Sequence, residues 1–345
     1  MNGMWKKGFV VVAFFAFAFV AVSRSGTIAH QVAGLQPNPA AIVGESAGET
    51  VFDVDPAKLD PERRALYDRV AAAAEKLRTE PIDAKEDPVW KAIPALNGRE
   101  VDVDATFEAA VKNGGKEPIP FVFREIPAKV TLDDLGPLPI YKGNPRKPMV
   151  SLMINVAWKE ENLPGMLKTL RDENVKATFF FLGSWLKTHP EEAKRIAAEG
   201  HELANHAYWH KTPLSQLSDE AVRKEILDTQ KLLKETLGVE GTLFAPPSGD
   251  FDADTVKVAH DLGLRTILWS LDTIDWKEPG ADTIVRKVAA RLEPGSLILM
   301  HPTESASGAL RGMIQEAKRQ GYALGTVSET ISPSPALAVE TPTGF

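Results

Sequence analysis

Gly200-His201-Glu202-Leu203-Ala204-Asn205-His206-Ala207-Tyr208-Trp209-His210 reads as a short strand that runs out into two imidazoles four residues apart. One helical turn or a tight loop brings positions i and i+4 onto one face, so His206 and His210 can both direct a ring nitrogen at a single ion. The chain has only seven histidines, and three of them fall in this window. A fourth, His301, ends the apolar run Leu297-Ile298-Leu299-Met300, which has the length and composition of a buried strand. In α/β proteins, sites are built where strands end. An isolated His-x-x-x-His pair is more often a solvated helix face than a metal site, so the rest of the chain has to decide.

Outward from this stretch, strands and helices alternate from Met149 onward. Strands are predicted at 150–154, 177–182, 202–204, 242–245, 266–270, 297–300 and 323–327, with amphipathic helices at 163–173, 184–198, 218–237, 253–262, 282–292 and 309–320. Seven such units predict an α/β fold, an incomplete and distorted (β/α) barrel. His206, His210 and His301 each fall at or just beyond the carboxyl end of a predicted strand, where packing alone has no need of them.

Three further segments keep order with the histidine pair: Phe244-Ala245-Pro246-Pro247-Ser248-Gly249, Trp269-Ser270-Leu271-Asp272-Thr273-Ile274-Asp275-Trp276, and Leu299-Met300-His301-Pro302. The series resembles the polysaccharide deacetylase superfamily, carbohydrate esterase family four, over about residues 148–328, the NodB homology domain. Family members carry T-F-D-D, H-[ST]-x-x-H, R-x-P-Y, D-x-x-D-W and L-x-H. The resemblance implies a divalent ion, zinc above others, held by one aspartate and two histidines. It also implies a carboxylate base and a histidine that protonates the departing amine. Carried over residue by residue, His206 and His210 are metal ligands and His301 is the general acid. Asp275, or less readily Asp272, orients His301, while Trp276 and Leu299 wall the acetyl pocket and Pro247 and Ser248 face substrate.

The first and third motifs depart from this pattern. Met153-Ile154-Asn155-Val156-Ala157-Trp158 stands in place of T-F-D-D, so the family's base aligns with Asn155 and its metal aspartate with Val156. A neutral amide has no basic site near neutral pH, and valine cannot ligate. The motif-three arginine and tyrosine become Ala245 and Ser248. Glu160, Glu161 and Asp250 could supply a recruited carboxylate, against plainer readings of the first two as a helix start and Asp250 as a helix cap. His201 reads as structural, donating to backbone, and Trp158, Tyr208 and Trp209 as sugar-stacking candidates. This altered pattern, with Met300-His301-Pro302-Thr303-Glu304-Ser305, resembles deacetylase-like proteins of spore-forming bacteria assigned to sporulation.

The remaining sequence speaks to compartment. Lys6-Lys7 precede fifteen residues without charge, Gly8 to Val22, shorter than the about 20 a membrane span needs. Residues 1–25 therefore read as a signal peptide or signal anchor, 26–58 as a linker, 59–147 as a small α+β module and 329–345 as a flexible tail. In the module Asp60-Pro61 starts a helix, Asn97-Gly98 turns into a strand, a helix runs to Lys112, and 119–123 is a second strand. The module faintly resembles peptidoglycan-binding modules, with packing on the barrel as the plainer alternative. A net charge of −7 argues against nucleic acid, and zero cysteines exclude disulfides and thiolate sites. The expectation is an exported protein whose membrane contact is confined to its first segment. Its partner is an N-acetylated, peptidoglycan-like glycan, and it is either a hydrolase of N-acetyl groups or a noncatalytic binder on the same fold.

Overall fold

The computed structural model describes residues 53–336. The proposed signal segment, most of the linker and residues 337–345 of the tail lie outside the described residues. Asp60 accepts from the amides of Glu62 and Arg63, and Pro61 needs no donor at the first position; together they open helix α1 (Pro61–Leu77). Strands β1 (Lys85–Asp87) and β2 (Lys91–Ile93) form a hairpin. β3 (Gly98–Val101) and α2 (Val103–Lys112) follow, and β3 pairs antiparallel with β4 (Phe123–Ile126). The second strand thus begins where 119–123 was expected to end. Pro118 and Pro120 have no amide hydrogen to give, so the ladder starts beyond them.

The chain then builds one parallel sheet. Its elements are β5 (Met149–Val156), α3 (Leu163–Asp172), β6 (Thr178–Phe181), α4 (Gly183–Thr188), α5 (Pro190–Ala198), β7 (Glu202–Asn205), α6 (Asp219–Leu237), β8 (Leu243–Phe244), α7 (Ala253–Asp261) and β9 (Arg265–Thr266). They continue with β10 (Leu271–Asp272), α8 (Ala281–Ala289), β11 (Leu297–Met300), α9 (Glu304–Arg319), β12 (Ala323–Gly325) and α10 (Val327–Ile331). The strand order is β10-β11-β5-β6-β7-β8-β9, with β12 beside the start of β5. Central β5 is buried along its whole length. Along it Val150, Leu152 and Ile154 face the outer helices, while Met153 meets Phe180 and Leu297 inside, the period-two alternation of a strand covered on both faces. This is the predicted incomplete (β/α) barrel. Because its strands are parallel, every carboxyl end opens onto one rim.

Three boundaries moved for physical reasons. The helix expected at 184–198 divides at Pro190, which cannot continue a hydrogen-bonded turn. The strand expected at 266–270 ends at Thr266, and a separate β10 begins at Leu271. The expected tail at 329–345 starts too early, since Thr330 and Ile331 are buried in α10 and Lys147 donates to the carbonyls of Glu329 and Ser332. The module packs on the barrel through a bridge from Ile140 to Ile267 and an ion pair from Lys142 to Glu293 at 2.6 Å. Among the described residues no helix is long and apolar enough to cross a membrane.

Candidate active site

At the end of β7 the chain turns sharply. Asn205 accepts from the Ala207 amide at 2.8 Å and donates to the Ile226 carbonyl at 2.9 Å, while Ala207 takes the left-handed conformation with φ 58°. The turn buries His206, whose Nδ1 donates to the Ala245 carbonyl at 2.7 Å. Nε2 is then the ring nitrogen that keeps a lone pair. Burial pushes His206 down to about 3, so the imidazole is neutral at working pH. His210 lies exposed on a loop rather than a helix, its ring centre 5.8 Å from that of His206. Rings at this separation can both reach one ion, given zinc–nitrogen distances of about 2 Å. The Glu225 carboxylate, reaching from α6, holds the loop by accepting from the amides of Tyr208 and Trp209.

Across β5, the loops after β10 and β11 bring Asp275 to His301. Asp275 is fully buried; its two oxygens accept from His301 Nδ1 at 2.9 Å and from the His301 amide at 2.5 Å. This fixes the tautomer and leaves Nε2 as the nitrogen that can hold or give a proton. Trp158 stacks on the imidazole with ring centres 4.9 Å apart. Asp272 does not share the orienting role, because its carboxylate accepts from the Ile274 amide in its own turn. The surrounding loops are sewn together: Asn162 donates to the Pro302 carbonyl, Lys159 pairs with Glu278, and Glu278 accepts from the Ser305 amide. The hydrogen bond from Lys159, then that from Ser305, pulls Glu278 down to about 2.

Between these two halves the end of β5 presents Asn155 and Val156 where a carboxylate was needed. Asn155 is buried with its Oδ1 unpartnered, and Val156 beside it is fully buried. Among the described residues no three histidine, cysteine or acidic side chains stand close enough to hold a metal. The donors present therefore fall short of the three-ligand set the resemblance implies. The suggested recruits are engaged elsewhere or turned to solvent. Glu160 meets His189 at 3.3 Å, Glu161 is exposed, and Asp250 accepts from the amide and hydroxyl of Ser215. Asp250 is not the expected cap, since Asp252 accepts from the Thr255 amide at the start of α7. His201 sits at the opposite rim, where its Nδ1 accepts from the Ala177 amide instead of donating.

Of the expected substrate-facing residues, Leu299 and Pro247 are buried, Ser248 is exposed in a turn with φ 58°, and Trp276 is 54% exposed. The Glu225 bonds, the Ala245 carbonyl under His206 and the Lys159–Glu278 pair escaped sequence reading. Each joins residues at least sixteen apart, with no local pattern to announce it.

The profile of the polysaccharide deacetylase family matches residues 142–267. The Bacillus subtilis (strain 168) uncharacterized protein YlxY is 36% identical over 94% of this chain and 97% of its own length. The chain belongs to the polysaccharide deacetylase family. A peptidoglycan-N-acetylglucosamine deacetylase of Bacillus cereus (strain ATCC 14579) is 32% identical over 62% of this chain and 95% of its own. Among solved structures, the CE4 family pseudoenzyme BA3943 of Bacillus anthracis has a TM-score of 0.74 at 39% identity, over 79% of this chain and 96% of that one. A mutant of BA3943 with restored enzymatic activity gives 0.74 at 38% identity, over 79% and 99%. This deacetylase-family chain is thus similar both to named deacetylases and to a pseudoenzyme.

Proposed function

We propose that the chain is an exported, cell-wall or spore-associated protein that recognises an N-acetylated, peptidoglycan-like glycan, and that its natural sequence binds that glycan rather than deacetylating it. The observation that carries this reading is the vacant chemistry at the first motif. Asn155 cannot take a proton from water, and Val156 supplies no anionic ligand, so the half of the reaction that generates a nucleophile has no residue to perform it. The half that serves the leaving group is intact. Buried Asp275 holds His301 Nδ1, and a proton on Nε2 is available to a departing amine. A divalent ion on His206 and His210 would lack the charge of a carboxylate and bind weakly.

Hydrolysis of N-acetyl groups is the second reading, favoured by that intact dyad and by the similarity to named deacetylases. The two are separated by incubating the full chain with N-acetylglucosamine oligomers and with purified peptidoglycan, adding zinc or cobalt, and following both co-sedimentation and acetate. Binding with acetate at blank level is expected. Metal-dependent acetate release by the natural sequence would favour the hydrolase instead.

A further inference from the structure

Three tryptophans are exposed among the described residues: Trp158 at 37%, Trp209 at 43% and Trp276 at 54%. All three lie just past the carboxyl ends of sheet strands β5, β7 and β10, on the rim that carries His206 and His301. In strand order Trp276 and Trp209 stand on either side of Trp158. Burying such a side chain is worth about 2 kcal/mol or more, so three exposed indoles on one rim ask for a ligand with an apolar face. A pyranose ring has one.

Their exposure is built into the backbone. Trp209 follows left-handed Ala207 and is held by the bond from its amide to Glu225. Trp276 sits in a turn bounded by left-handed Ile274 and Glu278, with φ 57° and 48°. A β-branched residue at positive φ is a genuine outlier, and each such residue costs about 1–3 kcal/mol. The two flanking tryptophans also share a second feature. Lys211 Nζ lies 4.1 Å from the Trp209 ring centre, and Lys277 Nζ lies 4.8 Å from that of Trp276. Neither lysine has a carboxylate partner among the described residues. The carboxylates that touch these loops are already engaged: Glu225, from α6, by two amides, Glu278 by Lys159 and Ser305, and Asp275 by His301.

From this we infer that Trp209 with Lys211, and Trp276 with Lys277, form two sugar-plus-anion subsites that select an N-acetylated glycan bearing carboxylates over a neutral one. This rests on the glycan-binding reading above and names its substrate class. The indole takes the C–H face of a ring while the ammonium, held loosely over the same indole, pairs with a carboxylate on that sugar or its neighbour. The chain's net charge of −7 would otherwise repel an anionic polymer, which makes two unpaired cations at the rim the selective element.

The test titrates the full chain at low ionic strength with three probes of equal length: neutral N-acetylglucosamine oligomers, strands alternating N-acetylglucosamine and N-acetylmuramic acid, and oligomers alternating N-acetylglucosamine and glucuronic acid. Two exposed ion pairs predict about fivefold tighter binding of a carboxylated probe, which added salt and the double change Lys211→Gln with Lys277→Gln both erase. The better of the two carboxylated probes identifies the lactyl or uronic source. Trp209→Ala with Trp276→Ala is expected to weaken all three. Equal binding of neutral and carboxylated probes, or a preference that survives the double glutamine change, overturns the inference while leaving the glycan reading standing. Binding of none overturns both.

Discussion

Two neighbouring residues, Asn155 and Val156, decide how this site differs from its family's. If the imidazoles of His206 and His210 are the only donors, zinc should be bound below one ion per chain in protein dialysed without chelator. Val156→Asp should raise the content toward one, His206→Ala with His210→Ala should abolish it, and Asn155→Ala should change it little; elemental analysis reads all four. The same content in every protein would remove the histidine pair from consideration. His201 gives a different prediction. Burial, with Lys176 as the lesser cause, lowers it from 6.5 to about 4. A histidine whose folded pKa is depressed contributes stability that is complete above about 6.5 and is lost as pH falls toward 4. Between pH 7 and 4.5, the unfolding free energy read from urea titrations should therefore fall further in the wild type than in His201→Gln, by on the order of 2 kcal/mol. At this scale the sequence was informative about which groups meet: His206, His210, His301 and Asp275 were named from spacing and family pattern. It was silent on what orients them, because the carbonyl under His206 belongs to Ala245, a residue with no polar side chain to notice.

At the scale of elements, hydrophobic runs located the sheet well where strands were fully buried. The run 297–300 coincides with β11, and β5, β6 and β7 lie within a few residues of expectation. Errors came at the two-residue strands β9 and β10, successive in the chain but at opposite ends of the strand order, since so short a strand leaves no periodicity. Proline explains the others, at 190 within a helix and at 118 and 120 before β4. Gly98, read from sequence as part of a turn, opens β3, where a Cβ would come within 2.3 Å of the Thr79 carbonyl and 2.7 Å of the Pro81 nitrogen. Both are backbone atoms that cannot swing aside. Gly98→Ala should cost more than about 2 kcal/mol in thermal or urea unfolding, the range of overpacking with backbone shifts. A variant as stable as wild type would mean that the close approach of 79–81 to β3 is wrong.

For the whole molecule, the module and barrel make one packed body joined at Ile140 and Lys142, which sequence could not show because the joining residues carry no motif. The same applies to the end of the barrel. A chain stopped at 328, the boundary the motifs suggest, discards Thr330 and Ile331 from the core and the carbonyls that hold Lys147. Loss of a buried isoleucine alone costs about 2 kcal/mol, so such a chain should melt several degrees below one ending at 336. Equal melting temperatures would show that α10 adds nothing.

On the reading proposed above, one rim of this barrel keeps the acid half of a deacetylase and has lost the half that makes the nucleophile. Acetate release by Asn155→Asp with Val156→Asp, in the presence of divalent metal and N-acetylglucosamine oligomers, tests it most directly. Release is expected from the double variant where the natural sequence gives none, with a loss of about 10² to 10⁴ in that new rate on adding His301→Ala, since a departing amine needs its proton. A double variant that folds and binds metal yet releases no acetate, or whose release survives His301→Ala unchanged, would contradict it.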